Sequence, residues 1–566
     1  MGGTLGKGGS WVVDHSMDEI PLSVSIGKSD LRHGSIASVS SSDPPPYDEI
    51  TTSLYETPKQ KRARKRSHLV AYTTMFVMSI GFSIVLSGVW PFLQKLDSTL
   101  EKDSLGLIVA ANPLGQMVAS PLMGLWGNKA GKIRFACLST VTFFICGNVM
   151  YSLLYAFQDA GGRVSYWAMF VSRFIVGVSS ANVTLCRSYL AGSTTLKERT
   201  SGIAIIAAAQ SLGFVVGPGI QAVMTILVPG ETYTAGGWII WDKFTACGWV
   251  AAALGLINFV ILTPWVFQEF NIAEKERALM QQRRGTDKDI KLPKPDYLPV
   301  VGILFSFFVS IFIFVLLETL AEPFVSDQYG WEEDKCMIVV GVSLSVGGLI
   351  AFGIFPMSGV LSKKFDERKV MLYPGYIPLM LGTFLLIPFA GKDIPIAVCY
   401  NTTTTMEPTT FSTESYDMAD YRNQGILPYS DEDGETCTLG CPESQEWCND
   451  VNQLPLPQLA IGYLIVMFGY PLVQSLNMAI FSKMLGPKPQ GLWMGVLTAV
   501  GSLARVLGPL FVSAVYTMLG TVWTFSILFV GMVLAFIELH LLYRRLVPMN
   551  LEEIQGHDGP AGKEKY

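Results

Sequence analysis

The sequence predicts an all-α integral membrane protein with twelve helices in two pseudo-symmetric six-helix bundles. Half of the 566 residues are hydrophobic, and only 15% are charged. Soluble globular chains carry about 25% charged residues, so much of this surface is expected to face lipid. The chain also repeats itself, because SLGFVVGPGI at 211–220 returns as SLARVLGPLF at 502–511 with the same Ser-Leu, gap and Gly-Pro.

Twelve apolar runs are long enough to cross a bilayer, which takes about 20 residues. The first bundle is predicted at 68–267, with spans at 68–93, 104–126, 133–156, 166–189, 200–229 and 247–267. The second is predicted at 298–545, with spans at 298–322, 335–361, 369–390, 457–484, 490–518 and 520–543. A polar linker at 268–297 separates them.

Basic residues predict the orientation, because Lys and Arg accumulate in cytoplasmic loops. The run KQKRARKR at 59–66 precedes the first span, and further basic residues occupy alternate loops: Lys129, Lys132, Arg134, Lys197, Arg199, Lys363, Lys364, Arg368 and Lys369. The linker and both termini are therefore predicted to be cytoplasmic. The tail at 1–67 is rich in Ser and Pro and is predicted to be disordered, and 546–566 forms a second tail.

The long loop at 391–456 then lies on the opposite side of the membrane. It contains a glycosylation sequon at Asn401 and four of the nine cysteines, Cys399, Cys437, Cys441 and Cys448. Four cysteines in an oxidising compartment predict two disulfides with three possible pairings. A zinc site is the competing interpretation, but no histidine lies nearby.

The N-terminal tail contains the segment PPPYDEI at 44–50. Pro-Pro-Pro-Tyr matches a ligand of WW domains, which bind extended proline helices. Tyr47 followed by Ile50 matches a tyrosine-based sorting signal of endosomal and lysosomal membrane proteins. Sorting adaptors and WW-domain proteins are the predicted partners, with chance occurrence of short motifs as the alternative.

Six plus six spans around a cytoplasmic linker resemble the major facilitator superfamily, whose transporters are built from related halves. The loop GLWGNKAGKIR at 124–134, with Gly124, Asn128 and Gly131, is similar to a signature of that superfamily. The signature has an acid where this chain has Asn128. Without that acid the sequence does not predict the standard charge-paired gate at this loop, although an asparagine can still cap a helix end.

Further motifs carry the resemblance. Arg173 and Gly177 match an RxxxG signature in the fourth span, and Gly213, Gly217 and Pro218 match GxxxGP in the fifth. Longer strings are similar to a lysosomal branch of the superfamily, affected in one neuronal ceroid lipofuscinosis: GVWPFLQKLD, LGQMVASPLMGLWGN, RSYLAGSTTLKERTS and SKMLGPKPQGLWMG. The resemblance implies a glycosylated endolysosomal membrane protein that supports chloride permeation.

Charges inside spans cost from about 2.5 to over 10 kcal/mol at the bilayer centre, so those present indicate a wet cavity or a partner. Arg173 and Arg505 are predicted to attract chloride or another small anion, with helix-to-helix hydrogen bonding as the alternative. Glu318 is predicted to exchange protons near lysosomal pH and to serve as a sensing or coupling group. Its alternative is a fixed ion pair with Arg173 or Arg505.

Neutral polar residues also follow helical spacing. Tyr470, Gln474 and Asn477 share one face of the tenth span. Such stripes either join helices or line a cavity, and the predicted lining residues are Gln116, Gln210, Gln474 and Asn477.

The sequence contains no phosphate loop, no HExxH and no GxSxG, so we predict no enzyme, cofactor, metal site or nucleic-acid partner. The predicted function is anion permeation, most simply of chloride, through a central cavity. One alternative is a proton-coupled exporter of a small organic metabolite. Another is a non-transporting scaffold that acts through PPPYDEI.

Overall fold

The computed structural model describes most of the membrane region and parts of the long loop. The described residues are 56–97, 103–160, 163–228, 233–235, 239–275, 295–389, 391–397, 399–401, 429–430, 435–437, 439–442, 445–486 and 488–549. The predicted tail signal with Tyr47 and Ile50 lies outside them.

The first half consists of helices joined by short turns. They are α1 (Pro58–Ser83), α2 (Val89–Leu96), α3 (Asp103–Ala130), α4 (Ile133–Ser152), α5 (Val164–Ser179), α6 (Asn182–Ser193), α7 (Leu196–Leu227) and α8 (Lys243–Ile261). Helices α5 and α6 form one span that is broken at Ser180 and Ala181. An antiparallel hairpin of β1 (Tyr233–Ala235) and β2 (Ile239–Trp241) precedes α8.

The second half follows the same plan with two irregular spans. Its helices are α9 (Tyr297–Tyr329), α10 (Glu333–Leu361), α11 (Glu367–Val370), α12 (Ile377–Leu385), α13 (Leu456–Leu485), α14 (Gly491–Phe511) and α15 (Thr517–Leu541). A π-helical turn at Met371–Tyr376 joins α11 to α12, and another at Val512–Tyr516 follows α14. Gly520 adopts a φ of 81° and separates the eleventh span from the twelfth.

Nine helical stretches among the described residues are long and apolar enough to cross a membrane. The longest, Gly491–Leu541, contains two of the predicted spans, and a turn of the chain at Gly520 separates them. The two other predicted spans do not meet that criterion. Helix α1 begins with the basic run, and the ninth span is interrupted around Pro374.

Buried apolar side chains form two main cores, one in each half. Phe92, Phe144 and Tyr151 are central to the first, whose buried residues run from 70 to 267. Phe307 and Phe481 are central to the second, whose residues run from 300 to 546 with a few from α6 and α7. Burial of these side chains stabilises each bundle, and the grouping agrees with the predicted two-bundle fold.

The halves meet along two helix pairs, α3 against α14 and α7 against α10. We call the side where α3 ends and α14 begins the basic end, because the Lys- and Arg-rich loops lie there. The opposite side, which carries the 391–456 loop, is the loop end. Gly131 has a φ of 64° and makes the turn from α3 to α4 at the basic end.

Close backbone contact seals the halves at the basic end. A Cβ added to Gly124 would lie 2.1 Å from the Gly491 carbonyl oxygen, so α3 and α14 touch through their glycines. The Gly491 amide donates to Asn128 Oδ1 at 2.8 Å. Asn128 thus caps the start of α14 across the interface, where a neutral amide satisfies an otherwise free N–H.

A second set of polar contacts extends this seal to α7 and α13. Glu367 accepts hydrogen bonds from Thr200 Oγ1 of the first half and from Lys483 Nζ at 2.7 Å. Arg199 Nη1 donates to the Ser482 carbonyl at 3.4 Å. These contacts hold the two halves together between the membrane centre and the basic end.

Parts of the long loop cover the second half at the loop end. Its strands are β3 (Ile396–Ala397), β4 (Cys399–Asn401), β5 (Tyr429–Ser430), β6 (Glu435–Cys437) and β7 (Cys441–Pro442), with a 3₁₀ turn at Glu446–Asn449. Cys441 and Cys448 form a disulfide. The Trp447 ring packs at 5.3 Å from that of Tyr516, and its indole N–H donates to the Thr517 carbonyl at 3.2 Å.

Replacing Gly124 by alanine is expected to weaken the seal at the basic end. The new methyl group would overlap the Gly491 backbone, and overpacking of this kind costs about 1–3 kcal/mol. We expect a lower temperature of thermal unfolding. Gly127→Ala is the matched control, because its Cβ would make ordinary contacts with Leu185 Cδ2 at 3.4 Å and Ile133 Cγ1 at 3.7 Å. Equal stability of the two variants would contradict the close contact.

The second disulfide is predicted to join Cys399 to Cys437. These residues occupy opposite positions in the antiparallel pair of β4 and β6, and the other two loop cysteines are already bonded. Mass spectrometry of non-reduced peptides should recover a peptide pair linked through Cys399 and Cys437. A peptide linking either residue to Cys441 or Cys448 would refute this pairing.

Candidate anion site between the two halves

Polar side chains from both halves meet at one level of the membrane. Arg505, Gln116, Gln210 and Tyr470 each lie about 14 or 15 residues from the basic end of their helices. At 1.5 Å per residue this places all four roughly 21 Å from that end. The four residues belong to α14, α3, α7 and α13, so the group spans the interface between the bundles.

Arg505 is held by the first half through Gln116. The Arg505 Nη1 atom donates to Gln116 Oε1 at 3.4 Å, and Ser502 Oγ donates to the same oxygen at 2.9 Å. Ser502 is one turn before Arg505 on α14, so both side chains face α3. A neutral amide oxygen therefore takes the place that an acid would fill in an ion pair.

Arg187 of α6 is the second cation of the site, and the sequence analysis did not select it. Its Nη2 atom donates to Gln210 Oε1 at 3.1 Å, while its buried Nε has no hydrogen-bond partner in the described structure. The sequence predicted that the fourth span ends at residue 189, only two residues after Arg187. In the structure the span continues to Ser193. Only the true length of that span shows that Arg187 lies well inside the bundle.

The broken fourth span positions Arg187. Helix α5 ends at Ser179 and α6 starts at Asn182, and Gln116 Nε2 donates to the Ser180 carbonyl between them at 3.1 Å. Because side chains tilt toward the N-terminus of their helix, the Arg187 guanidinium extends from α6 toward the membrane centre. Gln116 therefore contacts both the break before Arg187 and the head group of Arg505.

Glu318 of α9 is the acid associated with this group. Its side chain is exposed, and it lies within electrostatic reach of Arg505, Tyr463 and Tyr470. It therefore faces the space between the bundles rather than lipid. Among the described residues it makes no ion pair within 4.0 Å, so the alternative of a fixed pair with Arg505 is not observed.

The two arginines leave a net positive site. Arg187 and Arg505 lie within electrostatic reach of each other and of Tyr470, and in the described part of the chain neither has a carboxylate at ion-pair distance. Guanidinium groups are suited to carboxylate and phosphate recognition. A small anion between the two arginines would relieve their repulsion and would bridge the two halves.

Arg173 lies elsewhere, inside the first half. It is buried, donates from Nη2 to the Phe82 carbonyl at 3.4 Å, and lies 5.9 Å from the Tyr151 ring. Neither contact belongs to the second half. The structure therefore places Arg173 apart from Arg505, and its role in an anion path stays a prediction.

The remaining predicted lining residues lie at different depths. Gln474 Oε1 accepts from Ser310 Oγ at 3.2 Å, about one turn from Tyr470. Asn477 is fully buried, and its Oδ1 accepts from Ser306 Oγ at 2.9 Å. The structure thus places Asn477 between helices of the second half rather than on the cavity wall.

The interface between the halves is closed on one side. The hydrogen bonds that join the halves among the described residues lie between the membrane centre and the basic end. Glu318, which is nearer the loop end, is exposed. The described contacts therefore close the interface on the basic-end side of the arginines.

Comparison with known proteins agrees with the fold. The sequence profile described as Major Facilitator Superfamily matches residues 71–426 and 449–563. The chain is 35% identical over 503 residues to Major facilitator superfamily domain-containing protein 8 of Xenopus laevis, which covers 88% of this chain and 94% of that one. It is 26% identical to Multidrug resistance protein 2 of Bacillus subtilis strain 168 over 55% of this chain and 71% of that one.

Solved structures share the architecture at low sequence identity. The human organic anion transporter MFSD10 (TETRAN) superposes with a TM-score of 0.56 at 17% identity, covering 86% of this chain and 100% of that one. The proton:xylose symporter XylE superposes with a TM-score of 0.58 at 12% identity, covering 88% and 99%. The chain therefore belongs to the major facilitator superfamily, as an orthologue or close paralogue of the Xenopus laevis protein.

Proposed function

We propose that this membrane transporter carries an anion, most simply chloride, through the cavity between its halves. The observation that carries the proposal is the pair Arg187 and Arg505, one from each half, with glutamine oxygens rather than carboxylates as partners. Mobile anions would supply the negative charge that balances the two arginines. The similar fold of MFSD10, an organic anion transporter, is consistent with this chemistry.

The seal at the basic end supports alternating access. The contacts of Gly124 with Gly491 and of Thr200 with Glu367 close one side, while the arginines are reached from the other. An anion between Arg187 and Arg505 would draw α6 and α14 together, which favours closure at the loop end. Rocking of two bundles around a central site is the general mechanism of such folds.

The proposed location is the endosomal and lysosomal membrane, with the basic end in the cytoplasm and the loop end in the lumen. The basic loops support this orientation through the preference of Lys and Arg for the cytoplasmic side. The Tyr47 to Ile50 signal and the strings similar to the lysosomal branch support the compartment. Access from the loop end would then be access from the lumen.

A proton-coupled carrier of a small organic anion is the second candidate, and Glu318 favours it. Its carboxylate lies in the field of Arg505 and on the lumenal side of the arginines. When it is ionised it offsets part of their positive charge, and when it is protonated it does not. Anion binding and proton binding are therefore expected to favour each other.

Loss of either arginine is expected to reduce anion current. In a Tyr47→Ala background that brings the protein to the cell surface, Arg187→Gln and Arg505→Gln should each lower chloride current at least tenfold, because a charged hydrogen-bond donor contributes about 1.5–3 kcal/mol. Arg62→Gln, at an exposed position of α1, is the control. Unchanged current in both arginine variants would refute the site, and wild-type protein without chloride current would exclude chloride.

Replacing Glu318 by glutamine is expected to remove the pH dependence of transport. Wild-type anion flux should rise as the lumenal side is acidified, because protonation removes the negative charge near Arg505. Glu318→Gln should show the acidic level of flux already at neutral pH. Glu322→Gln, an exposed acid one turn further along α9, should retain the wild-type profile. Identical profiles for all three proteins would show that Glu318 does not couple protons to the anion.

A further inference from the structure

An apolar cavity lies on the loop-end side of Glu318, inside the second half. Its volume is about 190 Å³. Helices α9, α10 and α13 form its walls, with Leu317, Leu320, Phe324, Leu344, Leu459 and Tyr463 among the lining residues. Protein interiors are close-packed and empty apolar space is destabilising, so a ligand that fills this cavity gains free energy.

The cavity and the arginine site share two of their walls. On α9, Leu317 and Ala321 line the cavity and lie beside Glu318. On α13, Tyr463 lines the cavity, and Tyr470 lies two helical turns away on the same face, roughly 10 Å along the axis. Tyr463 is within electrostatic reach of Glu318, and Tyr470 is within reach of both arginines.

Together, the arginine site and the cavity form a region that is polar at one end and apolar at the other. The Tyr470 ring stacks on Phe314 at 4.7 Å, so aromatic surface continues from the arginines toward the cavity. Tyr463 donates its hydroxyl to the Ser343 carbonyl, which leaves its ring as the surface between Glu318 and the apolar walls. Chloride would use the polar end alone and would leave the apolar end without a role.

We propose that the preferred substrate is an amphipathic organic anion, with its acidic group between Arg187 and Arg505 and its apolar group in the cavity. This rests on the proposed function and specifies its substrate class. A single acidic group bridges the two guanidinium groups, and an alkyl or aryl group of moderate size extends along α13 toward Tyr463. Small inorganic anions bind the same arginines more weakly, because they bury no apolar surface.

The test uses the full chain in proteoliposomes and a series of n-alkyl sulfonates. Sulfonates stay ionised at all relevant pH values, so they do not cross the bilayer as neutral acids. Uptake of labelled methanesulfonate is measured, with butane- and hexanesulfonate as competitors. Each buried methylene should lower the half-inhibitory concentration about fourfold, until the cavity is filled.

Variants test whether the cavity binds the apolar group of the substrate and Arg187 binds its acidic group. Ala321→Phe and Ala460→Phe place an aromatic ring into the cavity from two different helices, and each should reduce the ratio between hexane- and methanesulfonate affinities toward one. Ala253→Phe, at an exposed position of α8 outside the site, should keep the wild-type ratio. Arg187→Gln should weaken all sulfonates by a similar factor.

The outcomes separate this inference from the proposed function. Absence of both chloride and methanesulfonate uptake would refute anion transport itself. Uptake of these small anions without any gain from chain length would refute the amphipathic substrate alone. Competition by neutral 1-hexanol equal to that by hexanesulfonate would show a general site for lipid tails and would also overturn it.

Discussion

Two guanidinium groups without acidic partners, held in the middle of a membrane protein, are the constraint on which the rest of the structure depends. Such charges are tolerated only where hydrogen bonds and a wet cavity replace water. Gln116 and Gln210 supply the hydrogen bonds, and a wet cavity between the bundles is part of the proposed function. Because Arg187 and Arg505 belong to different halves, their mutual repulsion depends on how the halves are arranged.

Two features of the helices position the arginines: small residues where α3 meets α14, and one break in the fourth span. Gly124 and Gly491 allow α3 and α14 to touch near the basic end, which closes the interface there. The break at Ser180 and Ala181 is fixed by Gln116, the same side chain that contacts Arg505. Gln116 thus couples the shape of the fourth span to the position of the cation opposite it.

Asn128 gives the seal at the basic end one neutral contact. Asn128 caps α14 through an amide oxygen, which does not change its charge with pH. Glu318 instead lies nearer the loop end than the arginines. A proton arriving from the loop end therefore meets Glu318, while the Asn128 contact at the basic end remains unaffected. Under the proposed function, the apolar cavity beyond Glu318 would add apolar surface as a second criterion to selection by charge.

The sequence by itself determined the fold class, because length and apolar composition can be read directly from the chain. Arg505, Gln116 and Glu318 could be selected because a polar group in an apolar run is visible in one dimension. Tertiary structure alone decided which of them meet. Helical period shows the face of a helix but not its neighbour, so Arg173 was grouped with Arg505 although it lies inside the first half. Arg187 was passed over because its depth depends on where α6 ends, and the Cys441–Cys448 pairing required the path of a loop that periodicity does not describe.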